Sequence, residues 1–481
     1  MKSIKINALL SIIKTLSSIL FPLITFPYIS RVLLPENIGK VNFGLSFINY
    51  FMLIAALGIQ TYAIRVCAAK KDDRNELTQI SSQLFSINII TTIIAYFFLF
   101  VTLIVYPNLD EYRIIILVQS ISILFTTLGA DWLNSAMEDF KYITIRTLFF
   151  QMLSLALMFL FVRRPEDYIR YAIILVFSSS GANAVNVWYR KRYCDTYFTL
   201  NIDWKIHVVP ILSLFVMSLA QTIFGNADVT MLGLMQNDFQ VGLYSTAHKV
   251  TLTISQVVQA LALVIIPRLS YYFSCKDYET ANLLLKKVLS FNLTLGLPIV
   301  IGVEMMAEEI IIMIGGPEYI QAVPIIRILI LSFMFSLVGG SFLGNAILIP
   351  MGKERYYMIV CCITAVANVI LNAILIPYFA AVGAAISTAF NGLLILILLL
   401  FRVDKNIKIK GIAPLFIKPL IGCFFIVIAC SIFSGVSNFA VRVMLSIFTS
   451  IFVYGLIQIL LKNELVIELI KSLFVRIKRS K

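Results

Sequence analysis

The sequence predicts an all-α membrane protein with about fourteen transmembrane helices, and three observations carry that prediction. The first is composition. Of 481 residues, 60% are hydrophobic and only 13% are charged, whereas a soluble domain is ~45–50% apolar and ~25% charged. So little charge cannot cover a water-facing surface, which leaves lipid as the solvent, in keeping with a mean hydropathy of +0.93. The second is run length. A membrane helix needs ~20 apolar residues, and runs of that length recur from one end of the chain to the other. The third is an alternation of Lys and Arg between the segments that separate those runs. It makes the net charge of +14 a topology signal rather than a sign of nucleic-acid binding.

Taken in order, the spans fall at 7–30, 41–63, 78–105, 112–135, 143–162, 168–189, 208–234, 241–266, 283–303, 321–349, 356–376, 380–401, 412–434 and 439–461. The first is too long for a signal-peptide core and no small-residue cleavage site follows it, so residues 7–33 are expected to stay as a span. Helices are the default because backbone groups in lipid must bond within their own segment. No stretch shows the alternation that a β-barrel requires.

Charge tests the count. With the N-terminus in the cytoplasm, inside segments collect 28 of the 39 basic residues and outside segments 7. The outside set is Arg31, Lys40, Arg113, Arg163, Arg164, Arg170 and Arg442; a wrong span count would scramble such a bias. The expected location is therefore the cell inner membrane, multi-pass, with both termini cytoplasmic. Cys67, Cys194 and Cys275 fall in inside segments and the other four cysteines in spans, so no disulfide is expected.

The chain also repeats. Pro35-Glu36-Asn37-Ile38-Gly39 follows span 1, and Asp238-Phe239-Gln240-Val241-Gly242 follows span 7. Trp132-Leu133-Asn134-Ser135-Ala136 closes span 4, and Phe342-Leu343-Gly344-Asn345-Ala346 closes span 10. The offset is about 200–214 residues, or six helices. Six is even, so the halves share an orientation, and parallel repeats mark transporters with two lobes around a central site. The expected domains are residues 1–205 (spans 1–6), 206–405 (spans 7–12) and 406–481 (two added helices and a basic tail), the two six-helix lobes being related by a pseudo-twofold axis.

A charge at mid-bilayer costs ~2.5–3.5 kcal/mol on insertion scales, which makes each embedded ionisable residue a functional candidate. Lys14 shares its helical face with Ser18, Thr25 and Tyr28. Lys249 shares its face with Ser245, Thr253 and Gln256. Each could line a wet cavity or snorkel to an interface. Asp228 could bind a coupling cation, take up a proton, or pair with Lys249. Asp131 sits near the inner end of span 4, where an interfacial role suffices. Arg327 and Lys418 lie within snorkelling reach, and Arg31 could guard an exit or bind lipid headgroups. Asn42, Ser46, Asn49 and Gln60 form a neutral polar stripe on span 2, suited to sugar hydroxyls or to helix contact. Pro22, Pro27, Pro298, Pro324 and Pro350 suit kinked spans. The only histidines are His207 and His248, and no P-loop, zinc pattern or His-based triad appears. The chain is thus expected to be a transporter, not an enzyme, to use no cofactor or metal, and to draw no energy from ATP by itself.

Two stretches carry a family resemblance. Asp131-Trp132-Leu133-Asn134-Ser135-Ala136-Met137-Glu138-Asp139-Phe140-Lys141-Tyr142-Ile143-Thr144-Ile145-Arg146 resembles the fourth-to-fifth helix segment of O-antigen (Wzx-type) flippases. Ala365-Val366-Ala367-Asn368-Val369-Ile370-Leu371-Asn372, with Ile376-Pro377-Tyr378 and Gly383-Ala384-Ala385, resembles a late-helix signature of the polysaccharide transporter family. Arg31 to Gly39 is similar too. The resemblance implies the multidrug/oligosaccharidyl-lipid/polysaccharide exporter superfamily, two six-helix lobes in a V, and two further helices in the longer form. It implies an undecaprenyl-diphosphate-linked O-antigen repeat unit as substrate. It also implies basic residues that engage the diphosphate, a role carried here to Lys14, Arg31 and Lys249. Few basic residues lie at mid-membrane, which implies a less cationic cavity than in relatives that move acidic sugars. Expected partners are membrane lipids, Na⁺ or H⁺ as coupling ion, and polysaccharide polymerase and chain-length proteins. The rival expectations are a cation-coupled multidrug antiporter of the same fold, a flippase for another polyprenyl-linked glycan, and a membrane scaffold for polysaccharide assembly.

Overall fold

The computed structural model describes residues 4–262, 265–409 and 411–468. Among them every regular element is helical. Eleven segments are long and apolar enough to cross a membrane. Two of these, Ile13–Ala68 and Glu354–Leu400, each join two of the expected spans across a break; the expected span at 241–266 falls on the 25-residue helix Asp238–Ala262, which is not among the eleven. Lys2, Lys410 and the basic residues after 468 lie outside the described residues. The chain packs as two compact units, Met1–Ser245 and Thr246–Lys481.

In the first unit, α1 (Ile4–Ala56) joins the first two expected spans with a break at one residue, Leu34, whose φ is 64°. Physics places that break. Proline is best tolerated in the first turn of a helix and disfavours the α region in the residue before it, although Pro22 and Pro27 sit inside the first half of α1 without a break. Pro35 therefore starts the returning half, and Leu34 takes the bend. Then come α2 (Ile59–Ala68) and α3 (Arg74–Val105), the latter capped by the Asp73 carboxylate, which accepts from the Asn75 and Glu76 amides. α4 (Arg113–Gly129) ends at Ala130, left-handed at φ 46°, and the short α5 (Trp132–Ala136) follows. α6 (Phe140–Phe161), α7 (Tyr168–Tyr189) and α8 (Trp204–Met235) complete the bundle, and α9 (Asp238–Ala262) begins in it. α1 packs against α3, α4, α6 and α8.

The bend of α1 defines one end of this unit. There Asn37 donates to the Pro165 carbonyl at 3.0 Å, Tyr28 to the Val162 carbonyl at 2.8 Å, and Tyr112 to the Asp238 carboxylate at 2.6 Å. Lys40 pairs with Glu111 and lies 4.0 Å from Asp238. The two sequence repeats at 35–39 and 238–242 meet here. Gly39 lies against the Asp238 carbonyl and Gly242 against the Pro35 carbonyl, so close that neither position has room for a Cβ.

The second unit contains α10 (Ile266–Ser274), α11 (Tyr278–Met305), α12 (Ala307–Gly315) and α13 (Val323–Ser336). A π-helical stretch follows at Leu337–Leu348, then α14 (Glu354–Leu400), broken at Ala380 just after Pro377, and last α15 (Ile412–Phe433) and α16 (Phe439–Leu460). A π turn spaces its hydrogen bonds i→i+5 and is uncommon at this length. Asn292 on α11 reaches this stretch, donating to the Leu337 carbonyl at 3.1 Å, with Ser341 Oγ at 3.3 Å. α16 is stapled to α11: Tyr454 donates to the Thr294 carbonyl at 2.6 Å, Asn463 to Thr294 Oγ1 at 3.2 Å, and Lys286 and Lys287 pair with Glu464 and Glu468. The outer faces are apolar: Ile104, Phe149, Val209 and Phe452 are all more than half exposed. Patches of that kind in water would drive association; in lipid they need no partner.

Candidate functional site

The first unit holds a polar cavity of about 650 Å³, at the end opposite the bend of α1. Each wall owes its polar groups to a different helix. Lys14 comes from the first half of α1 and Asn49 from its return; Gln60 comes from α2; Asp131 from the turn after α4 and Trp132 from the start of α5; Arg146, Thr147 and Gln151 from α6; Ser178, Ser179 and Asn183 from α7; Thr222 and Asn226 from α8. The charged lining residues are Lys14, Arg146 and Asp131, two cations against one acid, so the lining carries a net charge of +1.

The walls are held by hydrogen bonds that also satisfy helix ends. The last carbonyls of a helix have no partner within it. For α1, the Ala55 carbonyl is met by Asn88 at 2.8 Å and Thr91 at 2.6 Å. For α4, the Gly129 carbonyl accepts from Asn186 at 2.6 Å. Asn186 Oδ1 in turn accepts from Asn134 at 2.8 Å, and the same Asn134 amide reaches Asp131 Oδ1 at 2.9 Å. That oxygen also takes Arg146 Nη2 at 2.6 Å. The left-handed Ala130 thus turns Asp131 toward α6, and a chain of two asparagines fixes it there. On the other side Asn49 donates to Asn226 Oδ1 at 2.8 Å, while Ser46 bonds Thr230 at 2.6 Å and the Asn226 carbonyl at 2.9 Å.

Of the residues expected from sequence, Lys14 and Asn49 come together on this cavity. Gln60 joins them, whereas Ser46 serves the contact of α1 with α8. Asn42 is half-buried on the returning half of α1, toward the bend, and Arg31 is exposed one turn before it; neither lines the cavity. Asp228 is buried on α8 and accepts from the Tyr244 hydroxyl, also away from the cavity. Lys249 is half-buried on the part of α9 that belongs to the second unit. Lys418 donates to the Lys462 carbonyl at 2.9 Å, at the end of α16, and Arg327 lies 3.9 Å from Glu304.

Sequence reasoning missed Arg146, which it counted among loop charges, and took Asp131 as interfacial. The ion pair joins residues fifteen apart across a helical turn, a spacing no periodicity reports. The signal that was available is that both residues bound the stretch that carries the first family resemblance.

Comparison with known proteins agrees with this architecture. The family model described as "Polysaccharide biosynthesis protein" matches residues 4–273, and the MatE model matches residues 213–374. A protein of Escherichia coli (strain K12) named "Putative O-antigen transporter" is 22% identical over 81% of this chain and 94% of its own length. The capsular polysaccharide biosynthesis protein CapF of Staphylococcus aureus is 22% identical over 77% of this chain and 91% of its own. Among solved structures, the lipid II flippase MurJ in an inward closed conformation has a TM-score of 0.74 at 17% identity, covering 94% of this chain and 99% of that one. An inward-facing multidrug resistance MATE transporter has a TM-score of 0.58 at 13% identity, covering 79% and 92%.

Proposed function

Because the chain belongs to the polysaccharide biosynthesis protein family, we propose that it is a flippase for a lipid-linked glycan, and that it moves undecaprenyl-diphosphate-linked O-antigen repeat units from the cytoplasmic to the outer leaflet of the inner membrane. The observation that carries this reading is the polar, net cationic cavity of about 650 Å³ inside a unit whose outer faces are apolar. A lipid-linked oligosaccharide presents the matching chemistry: a tail that stays in lipid, sugar hydroxyls that need many modest hydrogen bonds, and a diphosphate whose desolvation must be offset by cations. Names borne by relatives, for O-antigen transport and capsular polysaccharide biosynthesis, point the same way.

In this proposal the cycle is alternating access. Lys14, with Lys249 at another stage of the cycle, neutralises diphosphate charge. Asn42 and Asn49 meet sugar hydroxyls, and Arg31 attends the exit. Asp228 couples the cycle to Na⁺ or H⁺, since neutralising a buried carboxylate would release the Tyr244 hydroxyl it now holds. The charge bias between loops supports cytoplasmic termini.

The test is complementation of a strain that lacks the gene. Surface O-antigen should disappear on deletion, return with the intact chain, and fail to return with Lys14→Ala combined with Lys249→Ala. Drug tolerance should be unchanged throughout. Unchanged O-antigen with lost drug tolerance would transfer the reading to a multidrug antiporter.

A further inference from the structure

We propose that the contact at the bend of α1 is a proton-sensitive outer gate, in which Asp238 takes a proton from the outer side when the gate closes and returns it there when the gate opens. This deepens the flippase reading and rests on its alternating access for the statement that the contact opens. No proton crosses the membrane by this route, so the device regulates the cycle and is separate from the coupling given to Asp228.

The argument starts from an excess of acid in a closed contact. Asp238 is 7% exposed, although it opens α9 ahead of the expected span at 241–266. Three segments bring charged or titratable groups to it. From the turn before α4, Tyr112 donates to Asp238 Oδ1 at 2.6 Å, and Glu111 adds a like charge. From α1, Lys40 lies 4.0 Å from Oδ2, beyond hydrogen-bond reach, and Glu36 adds a second like charge. From the start of α7, the Tyr168 ring lies under the Lys40 ammonium, 6.0 Å from it. Lys40 is itself committed to Glu111. The contact thus gathers three carboxylates, those of Asp238, Glu111 and Glu36, around one ammonium. Asp238 is the buried member, and a buried carboxylate without a full partner is costly in its charged form.

Burial is the largest influence on this carboxyl and pushes its pKa up. Tyr112 and Lys40 pull it down, Glu111 and Glu36 push it up again, and the balance is a raised value. With the gate apart, Asp238 faces water, where a carboxyl of this kind has a pKa of ~3.9. A proton therefore binds the closed form more tightly than the open one. By linkage, acid favours closure. The help is fully present below the open-state value and is lost as pH rises through the closed-state one. Protonation does not cost the contact its Tyr112 bond, because a neutral carboxyl keeps an acceptor oxygen. It removes one of three negative charges and leaves that bond in place. An acid exterior thus holds the carrier shut toward the outside, and a neutral one releases it.

The experiment measures the distance between spin labels at Asn108→Cys and Met235→Cys by double electron–electron resonance. The full chain is held in lipid nanodiscs, with its seven native cysteines replaced. Asn108 lies in the turn that carries Tyr112, Met235 just before Asp238, and both are exposed. The ratio of long to short distances should fall by about twofold or more from pH 8 to pH 5. Asp238→Asn, which stays neutral and keeps an acceptor for Tyr112, should show the low ratio at both. Glu111→Gln, which removes a like charge and frees Lys40 for Asp238, should show a weaker response. Gly39→Ala, whose crowded contact favours the separated form, supplies a background in which that form is populated. A melting curve like that of the intact protein shows that Asp238→Asn is folded. A ratio that rises or holds steady in acid, in the parent and in Gly39→Ala alike, overturns the gate. So does a pH response that persists in Asp238→Asn. If the ratio follows the expected pattern but deletion of the gene leaves surface O-antigen intact, the gate stands and the flippase reading falls. If deletion abolishes O-antigen and the ratio ignores pH, the reverse holds.

Discussion

Replacing Gly39 with alanine should loosen the contact between the two repeats at the bend of α1. The added methyl would sit within the van der Waals envelope of the Asp238 carbonyl. That neighbour is backbone, so no side chain can rotate away, and the strain must be relieved by separating the two segments. Overpacking of this kind costs typically ~1–3 kcal/mol. Spread over an equilibrium between closed and separated forms, that amounts to a population shift of about 5–150-fold. A reporter is at hand. Val241 is fully buried in the same segment, and Val241→Cys in a chain whose seven native cysteines are replaced would be reachable by a polar maleimide only while the segments are apart. When closing outpaces labelling, the rate follows the open population. Labelling should then accelerate by at least about fivefold in Gly39→Ala, and Gly242→Ala, which presses on the Pro35 carbonyl, should match it. Rates within twofold of the parent in both variants would refute the idea that these glycines exist to admit the opposing backbone.

Three further outcomes are expected. Asn292→Leu removes the buried donor shared by the Leu337 carbonyl and Ser341 Oγ and should cost about 0.5–1.5 kcal/mol, read as a lowered melting temperature in detergent. Asn186→Leu removes the donor to the Gly129 carbonyl and the acceptor for Asn134; it should cost ~1–3 kcal/mol and also reduce O-antigen complementation, because Asp131 loses its support. Lys418→Met, by contrast, removes one charge-to-carbonyl contact at the end of α16 and should cost only about 0.3–1 kcal/mol, measured by the same melting experiment.

How far the sequence could be read follows from what each feature depends on. Crossing helices depend on local apolar runs, and these were legible; the bends were not, since kinks were expected at Pro22, Pro27, Pro298, Pro324 and Pro350, whereas the long helices break at Leu34 and Ala380. The repeat around Gly39 and Gly242 was visible as a pair of turns, but not as two turns that touch, since contact order is not written in a local pattern. Lys14 and Asn49 were found because an embedded polar residue stands out against an apolar background. Arg146 was not, because at the foot of a span it resembles any topology-setting arginine until the left-handed Ala130 turns Asp131 to face it. The π-helical stretch was also hidden: hydropathy reports that a run is apolar, not how its hydrogen bonds are spaced.

The fastening of α16 to α11 limits what can be removed from this molecule. Thr294, halfway along α11, gives its carbonyl to Tyr454 and its hydroxyl to Asn463. A chain cut short before α15 would leave both groups facing hydrocarbon with nothing to bond, along with the apolar flank those helices cover. Engineers who want a smaller version would do better to shorten loops than to drop the last hairpin, and any tag is best attached beyond residue 468, where it leaves these bonds intact.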